Sequence, residues 1–280
     1  MPLSEAELPA ATFAFLAGLI YDRSRIRLGV DKRSLVASRL ARHLENRGCR
    51  SFADYCDLLR GPGAEDEIGT LIDLITTNHT QFFREPAHFE ILARELLPAL
   101  AARAIAASRP LRLWSAAAAS GEEPYSLAIV MAEQARRQPG CAWEVHASDI
   151  SQRMLDRCRL GIYDADKARL PDPGLLPRYF RKGFGRREGC VRLKPEIRRH
   201  VRVEHVNLFQ PAYPVPRGLD VVFCRNVMIY FDVESRQELV GRLFDQLAPG
   251  GYLFVGHAES LLGLSHRFET RRPGVYRRPA

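Results

Sequence analysis

Four stretches after residue 110 place polar side chains at or just beyond the end of an apolar run. Glu122 follows LRLWS and a turn, Asp149 ends WEVHAS, Asn207 follows VRVEHV, and Arg225-Asn226 follows LDVVFC. In an open α/β sheet the ligand lies across the carboxyl ends of the strands, so these positions face it together. From Asp149 a carboxylate can accept both hydroxyls of a ribose, although its distance from Gly121 exceeds the roughly 20 residues usual in dinucleotide sites. Asn207 and Asn226 can offer amide donors and acceptors to an adenine or to an amino-acid group. Between the first apolar run and the next helix, Ala116 to Gly121 carry nothing larger than a hydroxymethyl, which lets a ligand approach the backbone. Glu122, Glu123 and Pro124 then suit a helix first turn. No GxGxxG or GxxxxGK[ST] occurs, and two carboxylates would repel a pyrophosphate. The ligand that fits is a nucleoside without phosphates and with a positive charge, as S-adenosylmethionine is. An ordinary strand-turn-helix with acidic capping accounts for the same stretch equally well.

Other chemistries find less support. There is no GxSxG nucleophile elbow. His257-Ala258-Glu259 resembles the first half of a zinc deaminase signature, but no PCxxC follows. Cys224 ends an apolar run and reads as core. The six cysteines include no CxxC pair, which argues against zinc and against a disulfide framework; no metal is expected, and a reducing cytoplasm is.

The elements that must hold these residues alternate. Strands are expected at 111–116, 143–149, 219–224 and 252–257, the last after the turn Pro249-Gly250-Gly251. Helices are expected at 123–137, from Ser151 to Leu160, and from Glu234 to Leu247. This is a doubly wound, mostly parallel sheet with helices on both faces. Arg178 to Val206 is rich in glycine and arginine, with short runs such as CVRL and VRVEHV, and reads as a small antiparallel β insertion. Residues 1–75 read as a small all-α domain. Its helices are expected at Leu8–Ile20, at Asp31–Asn46 with Asp31 as N-cap, at Ser51–Leu59 and at Glu65–Ile75. Residues 76–110 join it to the sheet domain of 111–280, through the polar and aromatic run TTNHTQFFREPAHF and a helix near 87–107.

On the second helix Lys32, Arg39, Arg42 and His43 fall beside the apolar face formed by Val36, Leu40 and Leu44. They form either a solvated surface or a docking face for an acidic partner. The net charge is +8 with 280 residues, and the sequence pI is about 9.4. Nearly all the positive charge is arginine, so local clustering says more than the total. No apolar run is long enough to span a bilayer, and the N-terminal MPLSEAE lacks the basic and apolar regions of a signal peptide.

Taken together, TTNHTQFFRE (76–85), WSAAAASGEEPYSLAI (114–129), ASDIS (147–151), VNLF (206–209), FCRNVMIYFD (223–232) and LAPGGYLFVGHAESL (247–261) closely resemble the CheR-type chemotaxis receptor methyltransferases. The likeness covers nearly the whole chain. It implies a Rossmann-like methyltransferase domain with a small antiparallel β insertion at about 178–206, plus the all-α N-terminal domain. It also implies transfer of a methyl group from S-adenosylmethionine to glutamate side chains on the helical cytoplasmic domain of chemoreceptors, leaving S-adenosylhomocysteine. By motif, the implied cofactor contacts are Asn78, Thr80, Arg84, Glu122, Asp149, Asn207, Leu208, Arg225 and Asn226. Arg84 and Tyr230 fall at the transfer centre, and the basic helix faces the receptor. In some members the β insertion adds a receptor's C-terminal peptide as an extra strand. A cytoplasmic monomer without nucleic-acid or membrane partners is expected. Ala118 and Ala119 depart from the family, which there usually has a cysteine or small polar residues. A non-catalytic cofactor-binding adaptor is disfavoured by the complete motif set, and an RNA methyltransferase by the lack of a basic stripe interleaved with aromatics.

Overall fold

The computed structural model describes residues 7–280, so the first six residues of the N-terminal run discussed above lie outside it. Two compact units emerge. One takes in the chain up to Thr77 together with Tyr230–Ser235; the other comprises Asn78–Ile229 and Arg236–Ala280.

The first unit is helical: α1 (Ala10–Ser24), α2 (Arg33–Asn46), α3 (Phe52–Arg60) and α4 (Glu65–Ile75). Ser51 caps α3 by accepting the Asp54 N–H at 3.1 Å. On α2 the residues Val36, Leu40, Ala41 and Leu44 are buried, as their spacing predicts. The expected start at Asp31 is corrected: Val30–Lys32 form a 3-10 turn and the α-helix begins at Arg33.

The second unit begins with α5 (Pro86–Ile91), a π turn (Leu92–Leu96) and α6 (Leu97–Ala106) where one continuous helix was expected. Pro98 explains the break, because it has no N–H to donate to the carbonyl four residues back. Then follow β1 (Leu111–Ser115), α7 (Glu122–Arg137), β2 (Trp143–Asp149), α8 (Gln152–Leu160), β3 (Ile162–Asp164), α9 (Leu175–Tyr179), β4 (Phe180–Lys182), β5 (Cys190–Leu193), α10 (Pro195–Arg198), β6 (Val201–His205), β7 (Leu219–Phe223), α11 (Val233–Gln246), β8 (Leu247–Phe254), β9 (Glu269–Arg272) and β10 (Val275–Arg277).

The main sheet runs β6-β2-β1-β7-β8-β10-β9, its first five strands parallel and β10 and β9 antiparallel. β1, β2 and β7 are buried on both faces, as covered parallel strands must be. From β1 the chain winds outward through β2 to β6, then returns to β7 on the other side. The order therefore reverses between β1 and β7, and the crevice for a ligand opens there at the carboxyl ends.

The antiparallel insertion differs from expectation. The small sheet is β3-β5-β4, so it begins at Ile162, and VRVEH is not part of it. That run is β6, the parallel edge strand beside β2. Alternating Arg202 and Glu204 on a half-exposed edge give it the look of a surface meander strand.

Candidate functional site

At the crevice Ala116–Ser120 turn away from β1, and Gly121 enters α7 with φ +102°. A Cβ at Gly121 would stand 2.6 Å from the Cys158 Sγ and 2.8 Å from the Tyr163 hydroxyl, so the turn can close only on glycine. Asp149, at the end of β2, is buried. Its Oδ2 accepts the Ala119 N–H at 2.8 Å and its Oδ1 accepts the Ser151 N–H at 2.9 Å. Ala119 is itself left-handed, with φ +45°, so this carboxylate holds a strained turn in place. A carboxylate at a strand end is an acceptor suited to ribose hydroxyls.

Glu122 opens α7, and its Oε2 accepts from the Ser120 hydroxyl at 2.7 Å. Burial pushes its carboxyl up, against the pull of that hydrogen bond and the more distant charges of Arg157 and His79. A half-buried acid of this kind favours a cationic ligand beside it. Asn207 forms a local turn in which its Oδ1 accepts the Phe209 N–H at 2.9 Å, and Leu208 is buried next to it. Asn78 and Thr80 are half-buried on the segment leading to α5. Arg84 donates to the His79 carbonyl at 3.0 Å.

Arg225, expected to contact the cofactor, also has partners within the protein. Its side chain is fully buried, and both terminal nitrogens of its guanidinium donate to acceptors of the protein. It donates to Glu123 Oε2 at 2.9 Å, Glu85 Oε2 at 2.8 Å and the Arg84 carbonyl at 2.6 Å. Glu123 in turn accepts from the Ser115 hydroxyl at 2.7 Å. One guanidinium thus ties the ends of β1 and β7, the start of α7 and the segment before α5, all at the switch point. Burial alone would raise Glu85, but the hydrogen bond and charge of Arg225, with Asn226 and the His257 N–H, outweigh it and hold the carboxyl at about 2. Glu123 is buried more deeply, and desolvation pushes it up despite the same guanidinium.

Asn226 is left-handed, φ +59°, and its Nδ2 donates to Glu85 Oε1 at 3.2 Å. Glu259, in the loop after β8, fixes the Asn226 loop: Oε2 accepts the N–H groups of Asn226 and Gly256, each at 2.7 Å, and Oε1 accepts that of Met228 at 2.7 Å. Phe83 and Glu85 are also left-handed, at φ +52° and +57°, so non-glycine strain gathers around the crevice. Sequence reading missed Ser115, Glu85, Glu123 and Glu259 as positioning groups. Glu85 and Glu259 lie inside the motif runs TTNHTQFFRE and LAPGGYLFVGHAESL, while Glu123 has the sequence position of a helix-capping acid.

Tyr230 belongs to the helical unit, where its carbonyl accepts the Arg27 N–H at 2.9 Å. Of the four basic residues expected on one docking face, Lys32 and Arg42 are exposed, Lys32 being paired with Asp31 at 2.9 Å. Arg39 instead reaches the end of α4, donating to the carbonyls of Ile75 and Thr76 and to the Thr77 hydroxyl. His43 meets the buried Glu67 at 2.5 Å, and Arg47 meets the same carboxylate at 2.5 Å. Arg39 and His43 therefore hold the helices together, a correction to the picture of four side chains pointing outward. Cys224 is fully buried and burial drives its thiol well up, consistent with core. All six cysteines are free. Among the described residues no helix is long and apolar enough to cross a membrane.

Residues 78–276 match the family model for the CheR methyltransferase SAM binding domain, and residues 11–76 match that for the CheR methyltransferase all-alpha domain. The chain is 41% identical over 269 residues to the chemotaxis protein methyltransferase of Escherichia coli (strain K12), covering 96% of this chain and 91% of that protein. It is 40% identical to the chemotaxis protein methyltransferase of Salmonella typhimurium, over 96% and 90% of the two chains. It is 38% identical to chemotaxis protein methyltransferase 2 of Pseudomonas aeruginosa, over 92% and 89%.

Proposed function

The chain belongs to the CheR methyltransferase family, and from that premise we propose that it methylates glutamate side chains on the cytoplasmic helical domain of chemoreceptors. It is a methyltransferase of chemotactic signalling, and its methyl donor is S-adenosylmethionine. The protein acts in the cytoplasm, where those receptor domains lie.

The observation that carries this reading is the pair of carboxylates, half-buried Glu122 and buried Asp149, flanking a turn of small residues at the switch point. That environment repels phosphate and suits a ribose with a positively charged appendage. When bound, the cofactor supplies an electrophilic methyl group on a sulfonium. Asp149 receives the ribose hydroxyls, Glu122 offers its carboxylate to the cationic ligand, and Asn207 and Leu208 border the base. Arg225 binds no cofactor atom in this scheme. It holds Glu85 and Glu123, and through Glu85 and the backbone it sets Asn226 and Arg84.

The acceptor needs no activation. A glutamate with an ordinary pKa near 4.3 is already a carboxylate at neutral pH. Transfer of the methyl group from sulfonium to carboxylate neutralises both charges, so a solvated ground state opposes it. The protein's work is alignment and partial desolvation, worth several kcal/mol. Arg84 and Tyr230 are the residues proposed to hold and orient the incoming carboxylate. The exposed Lys32 and Arg42 are proposed to steer an acidic receptor surface, and the small sheet β3-β5-β4 to receive a receptor's C-terminal peptide. Fragment mapping of methylated receptor domain tests the proposal. Methyl groups confined to glutamate side chains are expected; methyl groups on lysine or on a terminus would overturn it.

A further inference from the structure

We propose that Glu85, His88 and His257 form a binding site for a divalent transition-metal ion, with Zn2+ the first candidate. The three side chains come from the first turn of α5 and the loop after β8, which lie 172 residues apart at Glu85 and His257. One ligand atom from each can be chosen so that all three lie within 4.8 Å of one another. His88 Nδ1 is 3.4 Å from Glu85 Oε2, and His257 Nε2 is 3.9 Å from the same oxygen. Around a tetrahedral zinc with bonds of about 2.0–2.1 Å, neighbouring donors stand roughly 3.3–3.4 Å apart. One edge of the tetrahedron is therefore already formed. Closing the others asks for about an ångström of movement, and His257, more than half exposed, is free to make it.

A second observation points the same way. His88 is 1% exposed, yet neither of its ring nitrogens has a hydrogen-bond partner. A polar atom left unmatched in the interior is costly, and a metal at Nδ1 removes one such deficit. Two imidazoles and one carboxylate are a donor set that zinc accepts with a fourth position open. Arg225 is the opposing influence, because its guanidinium already touches Glu85 Oε2 at 2.8 Å. Ligating carboxylates are commonly hydrogen-bonded from outside, and here Glu123 shares the guanidinium's charge. The nearby cation keeps the affinity below that of a closed four-ligand structural site. The lack of a CxxC pair bears only on cysteine sites and says nothing about this one.

Titration calorimetry with ZnCl2 on the full, chelator-treated chain tests the proposal, with Co2+ absorption as a second readout. One equivalent of Zn2+ is expected to bind, and the Co2+ spectrum should lack the thiolate charge-transfer band that any of the six cysteines would give. His257→Ala, at an exposed position, should weaken Zn2+ binding by more than about tenfold. His88→Ala should do the same if it folds, and the His257 variant carries the test if it does not. No Zn2+ binding, unchanged binding in His257→Ala, or a thiolate band with Co2+ would each overturn the assignment.

Discussion

Replacing Arg225 by methionine separates a positioning role from a ligand role. The substitution keeps the length and apolar stem of the side chain but deletes three hydrogen bonds, to Glu85, Glu123 and the Arg84 carbonyl. It also leaves two carboxylates facing each other without their shared cation. Breaking a buried ion pair from one side costs about 3–5 kcal/mol. Glu85, whose carboxyl is held at about 2 instead of 4.5, points in the same direction. That difference corresponds to about 3 kcal/mol at neutral pH, with Arg225 the principal source. Urea unfolding of cofactor-free protein at pH 7 should therefore show Arg225→Met destabilised by about 3 kcal/mol or more. Adding Glu85→Gln to Arg225→Met should recover part of the loss, because only one charge is then stranded. If Arg225→Met unfolds at the wild-type urea concentration and loses only S-adenosylhomocysteine affinity, Arg225 is a cofactor contact and the reasoning fails.

Other consequences follow from the same geometry. Gly121→Ala should lower stability by more than about 1 kcal/mol and weaken S-adenosylhomocysteine binding, since the new methyl meets Cys158 and Tyr163 at a positive φ; calorimetry and melting curves check both. Asp149→Ala should abolish most cofactor affinity, measured by calorimetry. It should also cost about 1–3 kcal/mol of stability, because the Ala119 and Ser151 N–H groups lose their acceptor. The stabilisation from Glu85 should be complete above its unfolded pKa near 4.5 and lost as pH falls towards 2, so acid unfolding of wild type and Glu85→Gln should converge over that window. Reversing Lys32 and Arg42 to Glu should slow receptor methylation in a salt-dependent way without changing melting temperature, whereas Arg39→Glu should lower the melting temperature by removing the contacts at the end of α4.

The parallel strands, the small-residue turn and the acid after β2 were legible because each depends on local pattern: an apolar run, a stretch without side chains, a residue at a strand end. The π turn before Pro98 was legible in principle from the proline alone. VRVEH was not, because whether a half-exposed strand pairs with β2 or with a neighbouring hairpin is decided by tertiary packing. The same limit applied to Arg225 and Arg39. A sequence shows that an arginine follows a strand or lies on a helix face, but not which carboxylate or carbonyl waits for it a hundred or thirty-six residues away. Glu85 and His88 are neighbours at the first turn of α5, but His257 reaches them only through the tertiary fold.

The central claim is that this protein forms methyl esters on receptor glutamates. The direct measurement uses S-adenosylmethionine labelled in its methyl group, incubated with the protein and the cytoplasmic domain of a chemoreceptor, followed by mild alkali. Label fixed to the receptor and released by alkali as methanol is the predicted result. Label that stays on the receptor through alkali, or that never reaches it while cofactor binding is intact, would contradict the account.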